Sequence, residues 1–145
     1  MKVRIMQDED FEKVLDITKE FNDQTPYPVP FNRQDASTSL KKFKSTTIVA
    51  EDNDKIVGVL ILGIAPIVWN FSKQQGIELC FYVHPEYRTS GVGKQLIQKM
   101  EMLAQLHGLV LVTMFNLSSD KDKVFERYYN KLGYKKLEIG YTKEI

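Results

Sequence analysis

Apolar residues recur along the chain with two periods, and the switching between them lays out the elements. Val3 and Ile5 alternate with polar neighbours in a short opening strand. Asp8 can cap the helix that follows, with Glu9 and Asp10 in its first turn, and Phe11, Val14, Leu15, Thr18 and Phe21 return at helical spacing. Residues 22–32 hold three of the five prolines, which requires an irregular loop, and a weaker helix is expected over 33–43. Two strands, 46–51 and 55–65, are joined by a tight turn at Asn53 and Asp54. The second reads IVGVLILGI, apolar on both faces as in a strand covered on both sides. A loop carrying Trp69 and Phe71 leads to a strand over 76–83. After HPEYRTSGVG, a helix starting near Gly91 sets Val92, Leu96, Met100, Leu103 and His107 on one stripe and stops at Gly108. A buried strand over 109–115, a helix over 119–132 and a strand over 134–141 complete the order βααβββαβαβ. The expectation is an α/β fold with a mixed sheet, in a single domain spanning 1–145.

Composition narrows the function without naming it. The chain has 145 residues, 43% hydrophobic and 27% charged, and 20 basic against 19 acidic residues leave a net charge of +1. Bulk electrostatic attraction to nucleic acid or to an anionic membrane is therefore not expected. The opening MKVRIMQDEDFEK turns acidic at Asp8 and has no apolar core of signal-peptide length. The longest apolar run, 56–68, is broken by Gly58, Gly63 and Pro66 and is too short to span a bilayer. The single cysteine, Cys80, lies in an apolar stretch and reads as a small buried hydrophobe, with no disulfide framework and no cysteine zinc cluster. A cytoplasmic protein is expected.

The chemistry concentrates in IELCFYVHPEYRTSGVGKQLIQKM. A strand ends at Val83, and Arg88-Thr89-Ser90-Gly91-Val92-Gly93 opens a helix. Glycines at 91 and 93 let the backbone turn tightly and approach a ligand without side-chain interference. The first amides of a helix lack intrahelical partners and point one way, so with the helix dipole they suit a phosphate or pyrophosphate. Arg88 adds positive charge at the rim. The Walker pattern fails, because Gly93-Lys94 is followed by Gln95 and Arg88 stands where the first glycine belongs. The dinucleotide fingerprint fails too, because Leu96 replaces its third glycine.

R-x-x-G-x-G preceded by V-x-P-E-Y, set between an apolar strand and an amphipathic helix, resembles the pantetheine-pyrophosphate loop of the GNAT superfamily of acetyl-CoA-dependent N-acetyltransferases. The likeness is sharp over 76–108 and recognisable over 119–141; over 1–65 it rests on the order of elements alone. It implies the GNAT fold, acetyl-CoA as co-substrate with no metal, and direct transfer to a primary amine on a small molecule or a protein. It also implies that the strand before the loop splays from its neighbour. Backbone groups at Phe81 and Val83 would then hold the pantetheine arm and thioester carbonyl, and amides from Thr89 to Lys94, through Ser90, Gly91, Val92 and Gly93, the pyrophosphate. Relatives often form a homodimer, although no residue here specifies an interface.

SSDKDKVFERYYNKLGY resembles the closing helix of the same family. Tyr129, four residues before Gly133, matches the tyrosine whose role there is to protonate the departing CoA thiolate. A phenol of pKa about 10 can serve a thiolate of pKa about 8.5. Tyr129 also belongs to an apolar stripe with Val124, Phe125, Tyr128 and Leu132, which gives it a purely structural alternative. Asp122 and Phe125 depart from the family's asparagine and alanine. Asp122, three residues after Ser119, fits a capping box, and Asn116 could supply the cofactor contact in its place.

An alkylamine at neutral pH must lose a proton before it attacks. Glu78 is the acid within the strand leading to the loop and shares a face with Cys80 and Tyr82. Apolar surroundings favour its holding a proton, so it is the candidate base, against the plainer reading of an acid whose head reaches water. His84 reads as a loop residue and His107 as a helix end. Tyr27, Phe31 and Trp69 lie in loops and are candidates for the acceptor pocket. The competing function is a non-catalytic acyl-CoA-binding sensor or scaffold, which would need the phosphate loop but neither Tyr129 nor Glu78.

Overall fold

A computed structural model describes all residues 1–145, which divide into two compact units, Met1–Met114 and Phe115–Ile145. The first unit contains β1 (Lys2–Ile5), α1 (Phe11–Asp23), α2 (Arg33–Phe43), β2 (Thr47–Asp52), β3 (Lys55–Ile67), β4 (Asn70–Val83), α3 (Val92–Leu106) and β5 (Leu111–Thr113). The second contains α4 (Asp122–Lys131). The five strands lie in sequence order; β1 to β4 pair antiparallel and β5 pairs parallel to β4. The expected mixed α/β sheet is present.

Two layers of helix cover the sheet. Val59, Ile61, Cys80 and Tyr82 pack with Met6, Val14, Leu15, Ile17 and Leu40 in one cluster, which seats α1 and α2. On the opposite face, a Cβ placed on Gly58 would lie 3.0 Å from Leu96 Cδ1 and 3.4 Å from Val92 Cγ1. The missing side chain at Gly58 thus lets α3 close on the strand that pairs with the end of β4. The β2–β3 turn is as expected: Asn53 and Asp54 have φ of 48° and 62°, as a two-residue turn matching strand twist requires. At the far end of α3, Gly108 at φ 65° lets Leu109 N–H reach the Ala104 carbonyl at 3.0 Å, which closes the helix.

The structure corrects the sequence expectations at several places. The helix entry is held by Asp10, not Asp8: its buried carboxylate accepts from Gln7 N–H at 2.8 Å and from Arg4, whose guanidinium also reaches Glu51 at 2.8 Å. Burial pushes the Asp10 carboxyl upward, but Arg4 and the Gln7 amide outweigh it and hold the group below its usual range. β4 begins at Asn70 rather than residue 76, because its first residues pair with β3 in a hairpin whose polar stretch hides the strand period. Trp69 is thereby in the hairpin turn and Phe71 within the strand. β5 is shorter than the expected 109–115. The final strand expected over 134–141 does not form: its alternating Leu137, Ile139 and Tyr141 are exposed, and no strand edge is paired to them. No helix is long and apolar enough to cross a membrane.

Candidate functional site

The turn from β4 into α3 is built by its own backbone. His84 N–H donates to the Val57 carbonyl at 2.9 Å, Tyr87 N–H to His84 at 2.8 Å and Ser90 N–H to Tyr87 at 3.1 Å. Gly91 then adopts φ 84°, a left-handed conformation that other residues rarely take, and α3 starts at Val92 with no side-chain cap. A Cβ on Gly91 would meet nothing within 4 Å, so the space before the helix is open. Val92 is fully buried and anchors the first turn, while Lys94 is exposed. Uncapped amides at 92–94, open space and a lysine form a donor set that fits a pyrophosphate. The Ser90 amide, expected to join it, is already used by Tyr87.

Arg88 is placed differently from its expected position at the rim. Its Nε donates to the Val83 carbonyl at 2.9 Å, its Nη2 to Gln24 Oε1 at 3.2 Å, and its guanidinium carbon lies 5.6 Å from the centre of the Tyr82 ring. Arg88 therefore ties the end of β4 to the end of α1. The Val83 carbonyl, expected to face a pantetheine arm, has one lone pair engaged and one remaining.

β4 and β5 pair only through Gln75–Leu111, Gly76–Val112 and Ile77–Thr113. Beyond Ile77 the β5 side of β4 carries no strand, so the edge from Glu78 through Phe81 to Val83 is open. A register shift falls at the same place: Leu62 faces Glu78 and Ile61 faces Cys80, which leaves Leu79 unpaired. Such a bulge bends a strand and ends a ladder. An open strand edge thus runs directly into the uncapped helix start, as the expected splay requires. Glu78 (8% exposed) pairs with Leu62, while Cys80 and Tyr82 pair with Ile61 and Val59. The bulge thus places Glu78 on the face opposite Cys80 and Tyr82, where strict alternation predicts a shared face. Burial, and then the Glu78 charge, push the Cys80 thiol far up, so this cysteine is inert.

Sequence reasoning missed the residues that α1 contributes. Gln24 Nε2 donates to Tyr82 Oη at 3.0 Å, and Tyr82 Oη lies 3.4 Å from Glu20 Oε2. His84 Nε2 approaches the same Glu20 oxygen at 3.3 Å, while His84 Nδ1 is buried without a partner. His84 is therefore part of a polar cluster rather than only a loop residue. No local pattern announces it, because the partners stand 58 to 64 residues apart in the chain.

Within the second unit, Tyr129 Oη donates to the Phe115 carbonyl at 3.1 Å, and its ring meets Tyr128 and Tyr134 edge-on at 5.7 and 5.8 Å. Burial raises the Tyr128 phenol. Asp122 Oδ1 accepts from Ser119 N–H at 2.9 Å and from Asn116 Nδ2 at 3.2 Å, and Ser119 Oγ accepts from Lys121 N–H at 3.1 Å, so Asp122 and Ser119 brace the turn before α4 and engage the Asn116 amide group. Among the acceptor-pocket candidates, Tyr27 is exposed and Phe31 half-buried between α1 and α2. Trp69 is 86% exposed at the hairpin tip, and about 30 Å of strand separates it from Glu78. The structure does not bring Trp69 to the open edge.

Residues 44–136 match a family model described as an acetyltransferase (GNAT) domain. Among similar solved structures is a transcriptional regulator from Bacillus halodurans C-125, 22% identical, with 99% of each chain covered and a TM-score of 0.77. A GNAT family acetyltransferase from Staphylococcus aureus subsp. aureus USA300_TCH1516 is 23% identical over 99% of this chain and 98% of that one, with a TM-score of 0.70. An aminoglycoside acetyltransferase, meta-AAC0020, from an uncultured soil metagenomic sample and in complex with sisomicin is 16% identical over 99% and 95%, with a TM-score of 0.73. At these identities the structural likeness shows the fold.

Proposed function

The chain belongs to the GNAT acetyltransferase family, and we propose that it moves an acetyl group from acetyl-CoA to the nitrogen of a primary amine, as a single catalytic domain in the cytoplasm. The observation that carries this reading is the open β4 edge, Glu78 to Val83, continuous with the uncapped start of α3. Edge amides and carbonyls near Phe81 and Val83 hold an extended arm by strand-like hydrogen bonds. The amides at 92–94, with Lys94, hold the diphosphate. Acetyl-CoA supplies a thioester carbonyl for direct attack. Glu78 accepts the proton the amine gives up as its nitrogen bonds to the acetyl carbon. Tyr129 gives its phenolic proton to the sulfur as the carbon–sulfur bond breaks, and regains one from solvent. Glu78 returns its proton to solvent, so the products are an amide and free CoA and both charge and protons balance. Fold relatives that include an aminoglycoside acetyltransferase support an amine as acceptor.

The second reading, a non-catalytic acyl-CoA sensor or scaffold, draws on one observation. The Tyr129 hydroxyl already bonds the Phe115 carbonyl, which gives that residue a structural use. Thiol release from acetyl-CoA across a panel of amines decides between them. The enzyme releases thiol in step with amide formation, and Tyr129→Phe slows release while acetyl-CoA still binds. A sensor binds acetyl-CoA and releases no thiol with any amine.

A further inference from the structure

We propose that Tyr87, held by Asp52 at the end of β2, positions the phosphate-binding turn, so that a contact outside the CoA site sets the affinity of that site. The inference rests on the reading of the β4–α3 turn as a CoA loop and gives that loop a positioning residue.

The turn leans on few tertiary bonds. His84 N–H donates to the Val57 carbonyl at its start, and Val92 is buried at its end. Between them the backbone bonds are local: Tyr87 N–H donates to His84 at 2.8 Å, Arg88 N–H to Pro85 at 3.3 Å and Ser90 N–H to Tyr87 at 3.1 Å. Two side chains of this stretch reach beyond it. Arg88 goes to the Val83 carbonyl and Gln24. Tyr87 Oη donates to Asp52 Oδ2 at 3.1 Å, across 35 residues of chain.

Tyr87 is where the bonds of the turn meet. Its carbonyl accepts from both the amide and the hydroxyl of Ser90, at 3.1 and 2.7 Å. Gly91 follows at φ 84° and sends the chain into the amides at 92–94. The phenol therefore fixes the residue whose backbone fixes the approach to Gly91. Asp52 is itself well placed to hold it. It faces Lys55 in the β2–β3 ladder, next to the Asn53–Asp54 turn, and its other oxygen lies 3.5 Å from the Met1 amino nitrogen. The Asp52 hydrogen bond, then burial and the charges of Asp52 and Glu86, raise the Tyr87 phenol, so the group keeps the proton it donates.

Backbone amides bind a diphosphate tightly only when they are already in place, because ordering them on binding subtracts from affinity. Without the Tyr87–Asp52 bond the turn keeps its local bonds and loses one of its two side-chain anchors. Neither residue belongs to the groups assigned to amine attack or thiolate release. The loss therefore falls on CoA affinity and not on the chemical step.

The test measures free CoA binding by titration calorimetry on the wild-type chain, Tyr87→Phe, Asp52→Ala, Asp52→Asn and the Tyr87→Phe/Asp52→Ala double variant. Phenylalanine keeps the ring and removes only the hydroxyl, and asparagine keeps an acceptor oxygen. Tyr87→Phe and Asp52→Ala should each weaken CoA about fivefold, and Asp52→Asn should stay within about twofold of the wild type. The double variant should bind no worse than either single one, because both remove the same bond. In turnover, KM for acetyl-CoA should rise by the same factor with kcat within about twofold. Should Asp52→Ala fail to fold, Tyr87→Phe set against Asp52→Asn decides alone. Unchanged CoA affinity in Tyr87→Phe, even with a lower melting temperature, would overturn the inference, as would losses that multiply in the double variant. CoA binding that ignores these substitutions removes the inference and leaves the CoA-loop reading standing. A wild-type chain that binds no CoA removes both.

Discussion

From Glu78 to Val83, β4 buries Glu78 on one face and Cys80 and Tyr82 on the other, ends in a carbonyl held by Arg88, and leaves its β5 side without a strand. From Asn70 to Lys73 the same strand is exposed and has no partner on its other side. Both stretches have unpaired backbone along one edge, but only one is a plausible receptor. In the first, covered faces and the Leu79 bulge fix the edge, and the edge leads into a helix start with unclaimed amides. In the second, nothing holds the arm against a second layer. An open edge becomes a site when both faces of its strand are packed and its end meets a fixed set of donors.

Substitutions can break that comparison. Glu78→Gln or Tyr129→Phe should cost about 100-fold or more in turnover while leaving acetyl-CoA affinity nearly unchanged, checked by thiol release and by ligand titration. Gly58→Val should destabilise the chain by about 1–3 kcal/mol, because a Cβ there already lies 3.0 Å from Leu96 Cδ1 and 3.3 Å from the Tyr82 carbonyl, read by denaturant unfolding. Gly91→Val should cost about 1–2 kcal/mol in stability, since φ 84° strains a β-branched residue, and relaxation of that strain should misplace the 92–94 amides and weaken CoA binding. Trp69→Ala, on the exposed arm, should change stability by less than about 0.5 kcal/mol and leave CoA binding intact. A large loss of CoA affinity in Trp69→Ala, beside none in Gly91→Val, would invert the roles of the two halves.

The same contrast explains what the sequence could reveal. The site half of β4 was legible as a strand because its signals are local, apolar residues and then glycines at the helix start, but the bulge at Leu79 that turns Glu78 to the other face left no sequence mark. The arm was missed because Ser72, Lys73, Gln74 and Gln75 are all polar, and an exposed hairpin has no buried face to impose a period. The reverse error occurred at 134–141, where alternation was present and no strand formed. Alternation says which residues share a face, and strand formation also needs a partner edge. Tyr129 was located from its motif, but its bond to the Phe115 carbonyl was not readable. The Glu20, Gln24, Tyr82 and His84 cluster and the inward turn of Arg88 arise from tertiary meetings between the ends of α1 and β4. Even the helix entry went to Asp10 over Asp8 because Arg4, on a neighbouring strand, selects the buried acid.

Thermal unfolding with acetyl-CoA, free CoA, ATP or no ligand tests the central claim most directly. A ligand at about 100 times its dissociation constant adds about 2.7 kcal/mol to stability. The open edge and the uncapped helix start together predict stabilisation by acetyl-CoA and CoA but not by ATP, which has phosphates without a pantetheine arm. No stabilisation by either CoA species would contradict the account at its base.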